Sequence, residues 1–324
     1  MNFHTRVSLP AAKRRYSHAH RFVSLGSCFA DEIGKRLSRS LFGCATNPLG
    51  NLFNPLAVSE ILIRATEGRD FREDEFFEHQ ELWRHFLVHS SLASTDRERS
   101  IQTANQAIKI LGENLLSCDL LIITLGSAWV YQKKEYVGAI GHNHKLPLSS
   151  FSKRRLSPDE VSITLKRAIQ LLRKENKKLE VCVTVSPVRH LRDGLHENNL
   201  SKASLLLAVD QMVETCPEIP YFPAYELLLD ELRDYRYFAE DLTHPSNSAT
   251  EYIWSQFRES YFDDKTTELI SELDQVLAML NHRTLHTDTS QYAAFKAALQ
   301  KRIHSLANEI PQAQSLQDAF QQLP

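Results

Sequence analysis

The chain has no cysteine pair at the spacing of a metal knuckle or a redox motif. Its five cysteines in 324 residues (28, 44, 118, 182 and 216) are scattered and odd in number, with no CxxC. Neither a zinc knuckle nor a disulfide framework is supported, and reduced thiols in a reducing compartment are the simplest reading. Long apolar runs are missing as well. No stretch approaches the roughly 20 residues that a membrane-crossing helix needs, and residues 1–22 lack the apolar centre of a signal peptide. Nor does charge of one sign dominate. The net charge is −2, without the basic excess that draws nucleic acid or the long acidic tract that keeps a chain unfolded. The expectation is a cytoplasmic protein that engages neither membrane nor nucleic acid. No cofactor is expected. His142-Asn143-His144 is a metal-like pair, but no cysteine or carboxylate lies at a spacing that would complete it.

What is present is a hydrophobic share of 42%, ample for a sizeable core. The length suits one large α/β domain with an appendage, or two domains. The stretch 21–36, RFVSLGSCFADEIGKR, organises the rest. Phe22, Val23 and Leu25 read as a short strand and Gly26 as a turn. Ala30, Ile33, Gly34 and Leu37 follow at helical steps, with Asp31 and Glu32 in the first turn, where acids suit the helix dipole. Ser27 and Cys28 fall where strand becomes helix, beside unpaired N–H groups that favour a thiolate and offer donors to an oxyanion.

Further along, residues 54–64 read as a helix, and 81–92 as a partly alternating strand carrying His85 and His89. A long amphipathic helix follows, capped by Ser94 or Thr95. LLIITL (120–125) and LEVCVTV (179–185) are continuous apolar runs, as in buried parallel strands. Trp129 to Tyr131 and Tyr136 to Val137 are expected to pair as a hairpin. The polar stretch 138–157 is expected as a loop bordering the cleft that contains Cys28. Ser157-Pro158-Asp159-Glu160 is a capping box with proline at the first helical position. Alternating strands and helices argue for a doubly wound parallel sheet. In it, the strands at 23–26, 120–125 and 179–185 should be neighbours. Past residue 264 the pattern is helical only. The expected division is therefore 1–264 as an α/β domain and 265–324 as a helical extension, packing on the sheet or on a second copy as a homo-oligomer.

Gly26 to Ala30 spells GSCFA, and NPLGNLFNP (47–55), TLGSAWVY (124–131), TVSPVRHLRDG (184–194) and the segment 221–246 stand in matching order. By these segments the chain resembles the GSCFA-domain family, itself similar to the SGNH (GDSL-type) hydrolases. The resemblance implies a three-layer α/β/α sandwich, flavodoxin-like in its mostly parallel sheet. It also implies acyl-ester chemistry, as esterase or acyltransferase, with an O-acyl carbohydrate as one substrate class. Asp241-Leu242-Thr243-His244 matches the superfamily's Asp-x-x-His, in which the carboxylate fixes the imidazole. Laying GSC on Gly-Asp-Ser makes Cys28 the nucleophile; a shift of one residue makes it Ser27. Thiol chemistry favours Cys28, because a thiolate beside an imidazolium needs less activation.

The oxyanion hole departs from the superfamily pattern. Gly50 is the counterpart of its glycine N–H, but Ala128 stands where the asparagine would fall. Asn47, Asn51, Asn54 or Ser127 are the candidate replacements, against the simpler reading of asparagines beside Gly or Pro as turn formers. His89, Arg189 and His190 are placed just past strand ends, where open α/β sheets bind ligands, and Arg189 is a candidate for an anionic group. The competing reading is a binding module that keeps the fold without catalysis.

Overall fold

The computed structural model describes residues 5–9, 12–282 and 285–323. Its centre is a five-stranded, wholly parallel sheet: β1 (Arg21–Gly26), β2 (Gly43–Thr46), β3 (Leu120–Leu125), β4 (Glu180–Val185) and β5 (Tyr221–Phe222). The strand order is β2-β1-β3-β4-β5. The two apolar runs and the strand before Gly26 are thus neighbours, as their composition requires. In this doubly wound order the chain reverses direction across the sheet between β1 and β3, which opens a crevice at their carboxyl ends.

Alternation along each strand feeds two cores. Val23, Leu25, Leu121, Ile123, Leu125, Val181, Val183 and Val185 pack to one side. There they meet α2 (Pro55–Thr66), α3 (Arg97–Ser117), α4 (Pro158–Glu175) and α5 (Leu195–Thr215). Phe22, Leu120, Ile122 and Cys182 pack to the other side, under α1 (Cys28–Arg39) and α6 (Asn247–Tyr261). Each such side chain contributes about 1.5–3 kcal/mol by leaving water, so a sheet apolar on both faces is stable only between two helical layers. The fold is α/β, in three layers.

β1 ends in a close approach. Gly26 has φ +129°, and a Cβ there would stand 2.0 Å from the Thr124 carbonyl oxygen of β3. Its N–H donates to Asn47 Oδ1 (2.9 Å), and its carbonyl accepts the Leu52 N–H (2.8 Å). The 47–54 segment is folded back on the strand end by its asparagines. Asn47, at φ +39°, donates from Nδ2 to Asp31 Oδ1 (2.6 Å) and to Asn51 Oδ1 (2.9 Å). Asn54 caps α2 by accepting the Ala57 N–H (2.9 Å) and donates to the Ile140 carbonyl (2.8 Å). Asn47→Ala strands the buried Gly26 N–H and is expected to lower stability by about 1–3 kcal/mol. Asn51→Ala, which removes one acceptor, should cost less; thermal melting of the two variants tests the ranking.

Several local readings are corrected. Of 81–92 only Leu82–Arg84 is a strand, paired with Phe77–His79 in a separate ribbon, and His85 and Val88 lie in the turn beyond it. Helix α3 (Arg97–Ser117) is capped by Asp96, which accepts the Arg99 N–H (3.0 Å); this carboxylate displaces Ser94 and Thr95 from that duty. Trp129–Gln132 pairs with Ser152–Arg155 and not with Tyr136, so the 138–157 stretch includes a strand. The capping box at Ser157 and Glu160 is present with both of its hydrogen bonds.

Beyond residue 264, α7 (Asp264–Leu280) sends Ile270 into the α/β core. Its Leu273 and Val276 instead join Leu299, Ile303 and Leu306 of α8 (Ser290–Glu309) and Ile310 in a third apolar cluster. Among the described residues no helix is long and apolar enough to cross a membrane.

Candidate active site

Cys28 is the first residue of α1, and Ser27 is its extended N-cap, whose side chain makes no capping bond. The helix start therefore leaves the N–H groups of Cys28 and Phe29 beside the sulfur, where they favour the thiolate. Cys28 Sγ stands 3.6 Å from His244 Nε2, although 216 residues separate the two. On the far side of the ring, Nδ1 meets Asp241 Oδ2 at 2.6 Å. Asp241 Oδ1 accepts the N–H groups of Thr243 (2.9 Å) and His244 (3.0 Å). Those backbone bonds, with the imidazole added, hold its carboxyl far below the usual carboxylate range. An ionised Asp241 keeps the proton on Nδ1 and leaves Nε2 free to take one from the thiol.

The turn that makes this possible is strained. Leu242 sits at φ +56°, a region that costs a branched residue about 1–2 kcal/mol. The turn is fixed from outside by the Arg189 N–H, which donates to the Thr243 carbonyl (3.1 Å).

Burial, followed by the charge of Asp31, raises the Cys28 thiol above its ordinary value; Lys202 and the helix-start N–H groups oppose them. The sulfur opens onto a cavity of about 310 Å³ with Phe29, Val188 and Pro245 as apolar walls and Glu32, Asn247 and Thr250 as polar ones. That is the lower end of the range for small-molecule sites.

The other sequence-derived candidates lie elsewhere. Ser27 is fully buried, with its Oγ unpartnered, while Cys28 Sγ holds the contact with His244. The Gly50 N–H is not free for an oxyanion: it closes a turn on the Asn47 carbonyl (2.8 Å), and the glycine is needed because a Cβ would meet His89 Cβ at 2.2 Å. Asn47, Asn51 and Asn54 spend their amides within the 47–54 segment and its contacts, and none lines the Cys28 cavity. Ser127 Oγ accepts the Trp129 N–H (3.1 Å) and shares a bond with Ser201. Arg189 lays its guanidinium 4.3 Å from the Phe238 ring centre, a cation–π contact that occupies the expected anion binder.

His89, Ser127 and His190 instead line a second cavity of about 350 Å³, with Trp129, Tyr131 and His142. The polar stretch 138–157 contributes residues 141–145 and Lys153 to this cavity and none to the Cys28 cavity, so it borders the neighbouring hollow. Along the chain the two linings come within two positions of each other: Val188 walls the first cavity and His190 the second. Burial pushes His142 down to about 3 and His190 down to about 4, so both are neutral at physiological pH, and each has an unpartnered Nε2. Among the described residues no group of three or more His, Cys, Asp or Glu is placed to hold a metal.

The sequence profile of the GSCFA family matches residues 21–257, a span that includes Cys28, Asp241 and His244. The chain belongs to the GSCFA family. No curated protein matches it. Among solved structures it is similar to a carbohydrate esterase family 3 protein from Talaromyces cellulolyticus: 14% identity, 49% of this chain and 65% of that one covered, TM-score 0.26. It is also similar to an acetyl xylan esterase from the rumen bacterium Butyrivibrio proteoclasticus: 11% identity, 84% and 66% covered, TM-score 0.32. The alignments thus span just under two thirds of either solved chain.

In this GSCFA protein each letter of the motif has a local task. Gly26 permits the close strand crossing, and Ser27 starts the helix. Cys28 faces His244, while Phe29 and Ala30 are buried, Phe29 in the core beneath α1. Two residues at the site escaped the sequence reading. Asn247 follows the Asp-x-x-His turn and lines the Cys28 cavity. Lys202 is a fully buried lysine on α5. A signal for it exists: the buried stripe Met212, Val209 and Leu205, followed back one turn, lands on Lys202.

Proposed function

We propose that this protein is an acyl-transfer enzyme, an esterase or acyltransferase, that works through a covalent Cys28 thioester. The observation that carries the reading is the aligned chain Cys28 Sγ, His244, Asp241, with contacts of 3.6 and 2.6 Å. His244 Nε2 takes the thiol proton, and the thiolate sulfur attacks the acyl carbon. The C–O π pair moves onto oxygen, where the N–H groups of Cys28 and Phe29 are the donors at hand. When the intermediate collapses, the ester C–O bond breaks and His244 returns its proton to the departing alcohol. Water or a second alcohol, deprotonated by His244, then attacks the thioester carbon; the C–S bond breaks, and the departing sulfur recovers the proton from His244.

A short, uncharged acyl group suits the 310 Å³ cavity, because Glu32 on its wall is held ionised by Lys35 (2.8 Å) and Arg36 (3.1 Å) and would repel an acidic one. The alcohol portion is assigned to the second cavity, whose aromatic walls and neutral imidazoles suit a carbohydrate. All five cysteines are free, which fits a cytoplasmic setting.

The test is incubation with p-nitrophenyl acetate, read by intact mass and peptide mapping. The expected result is an acetyl group on Cys28 with p-nitrophenol release, both lost in Cys28→Ala. Label that survives Cys28→Ala, or no label and no release, would overturn the assignment. One observation favours the second reading, a non-catalytic binding module: the Gly50 N–H and the Asn47 and Asn54 amides are committed internally. On that reading the second cavity is the binding site.

A further inference from the structure

At the carboxyl edge of the sheet, β3 is followed by Gly126 and β4 by Ser186, so two main-chain carbonyls emerge side by side. Lys202 reaches them from the opposite helical layer. Its Nζ donates to the Gly126 carbonyl at 2.8 Å and to the Ser186 carbonyl at 2.6 Å, and the residue is 1% exposed. Both acceptors are neutral. A buried ammonium costs several kcal/mol unless an opposite charge answers it, and two carbonyls alone need only a neutral donor. Gly126 packs directly against Ser27, since a Cβ on it would come 3.1 Å from Ser27 Cβ, so the ammonium is anchored one residue away from the nucleophile's helix.

The groups facing the pair can be named from each element. Cys28 has His244 from the 241–244 turn within 3.6 Å; Asp31 and Glu32 of its own helix, the latter on the cavity wall, and Lys202 of α5 are the charges around it. Lys202 is in electrostatic reach of Cys28 and His190, and its Nζ is 6.0 Å from the Tyr225 ring centre. Asp31 opposes a thiolate; Lys202 favours it.

We propose that Lys202 is the positioning residue whose buried ammonium, anchored on the Gly126 and Ser186 carbonyls beside Ser27, favours the Cys28 thiolate. The assignment rests on Cys28 being the nucleophile. Burial lowers Lys202 to about 7 and the Cys28 thiolate raises it, while Lys202 lowers the thiol, so each charge favours the other.

The experiment is the pH profile of iodoacetamide alkylation at Cys28, followed on its own peptide, in the wild type, Lys202→Met and Lys202→Arg. Lys202→Met should move the midpoint up by about one unit or more, a tenfold or greater slowing at neutral pH, and Lys202→Arg should recover most of it. A folded Lys202→Met with an unchanged profile would make the lysine a mere pin between two carbonyls and overturn the proposal. If Lys202→Met does not fold, the reciprocal measurement decides: ¹³C-lysine titration in Cys28→Ala should show Lys202 shifted down, and an unmoved Lys202 refutes the coupling. Neither readout needs turnover. A shifted thiol in a protein without esterase activity would spare the Lys202 assignment and sink the enzymatic one; the converse result would do the opposite.

Discussion

His244→Ala is expected to slow release of p-nitrophenol by 10²–10⁴-fold, on the order that a positioned general base contributes. His244 is placed to take the thiol proton, with Nε2 at 3.6 Å, and Asp241 at 2.6 Å sets its tautomer. Burial and Asp31 already push the thiol up, so without the imidazole less of it is thiolate at neutral pH. The sign follows. Thiolate fraction rises with pH, and removing a partner that favours the thiolate moves the midpoint upward. His244→Ala should therefore regain part of its rate in alkaline buffer, while the wild type levels off earlier. Asp241→Asn should fall between the two, since it keeps the turn but no longer forces the proton onto Nδ1. Equal rates for the wild type and His244→Ala across the whole pH range would leave the contact without a catalytic role.

Gly26→Ala is expected to destabilise the fold by roughly 3–5 kcal/mol, among the largest effects of any single methyl. The added carbon would lie 2.0 Å from the Thr124 carbonyl, and φ +129° is closed to an L side chain. Neither β1 nor β3 can retreat, because both are packed on two faces and Gly26 also anchors the 47–54 segment through Asn47 and Leu52. Gly68→Ala is the control. Its φ of +62° is also positive but nothing lies within 4 Å, so about 1 kcal/mol is expected. Denaturant unfolding of the two variants measures the difference, and similar losses would mean that backbone conformation, not the strand crossing, sets the cost.

The sheet was legible because buried parallel strands are written locally, as in 120–125 and 179–185, and need no knowledge of the partner. The Asp241 and His244 contact was legible for the same reason: three residues of chain bring the two together. Gly50 was misread because sequence does not show whether an N–H is already bonded, and this one closes its own turn. His89 lies beyond a strand that ends at Arg84, eight residues short of the 81–92 stretch that alternation implied. Lys202 escaped for a different reason. The stripe Leu205, Val209 and Met212 points to it, but a lysine on a helix is ordinarily solvated, and the carbonyls that hold this one belong to two distant strand ends.

The 216 residues between Cys28 and His244 have a consequence during synthesis. The thiol leaves the ribosome with the first strand and helix, and its imidazole follows on the order of 10 to 40 s later at ordinary elongation speeds. On the proposed mechanism the general base arrives last, so chains truncated or stalled before the 241–244 turn lack the partner that takes the thiol proton.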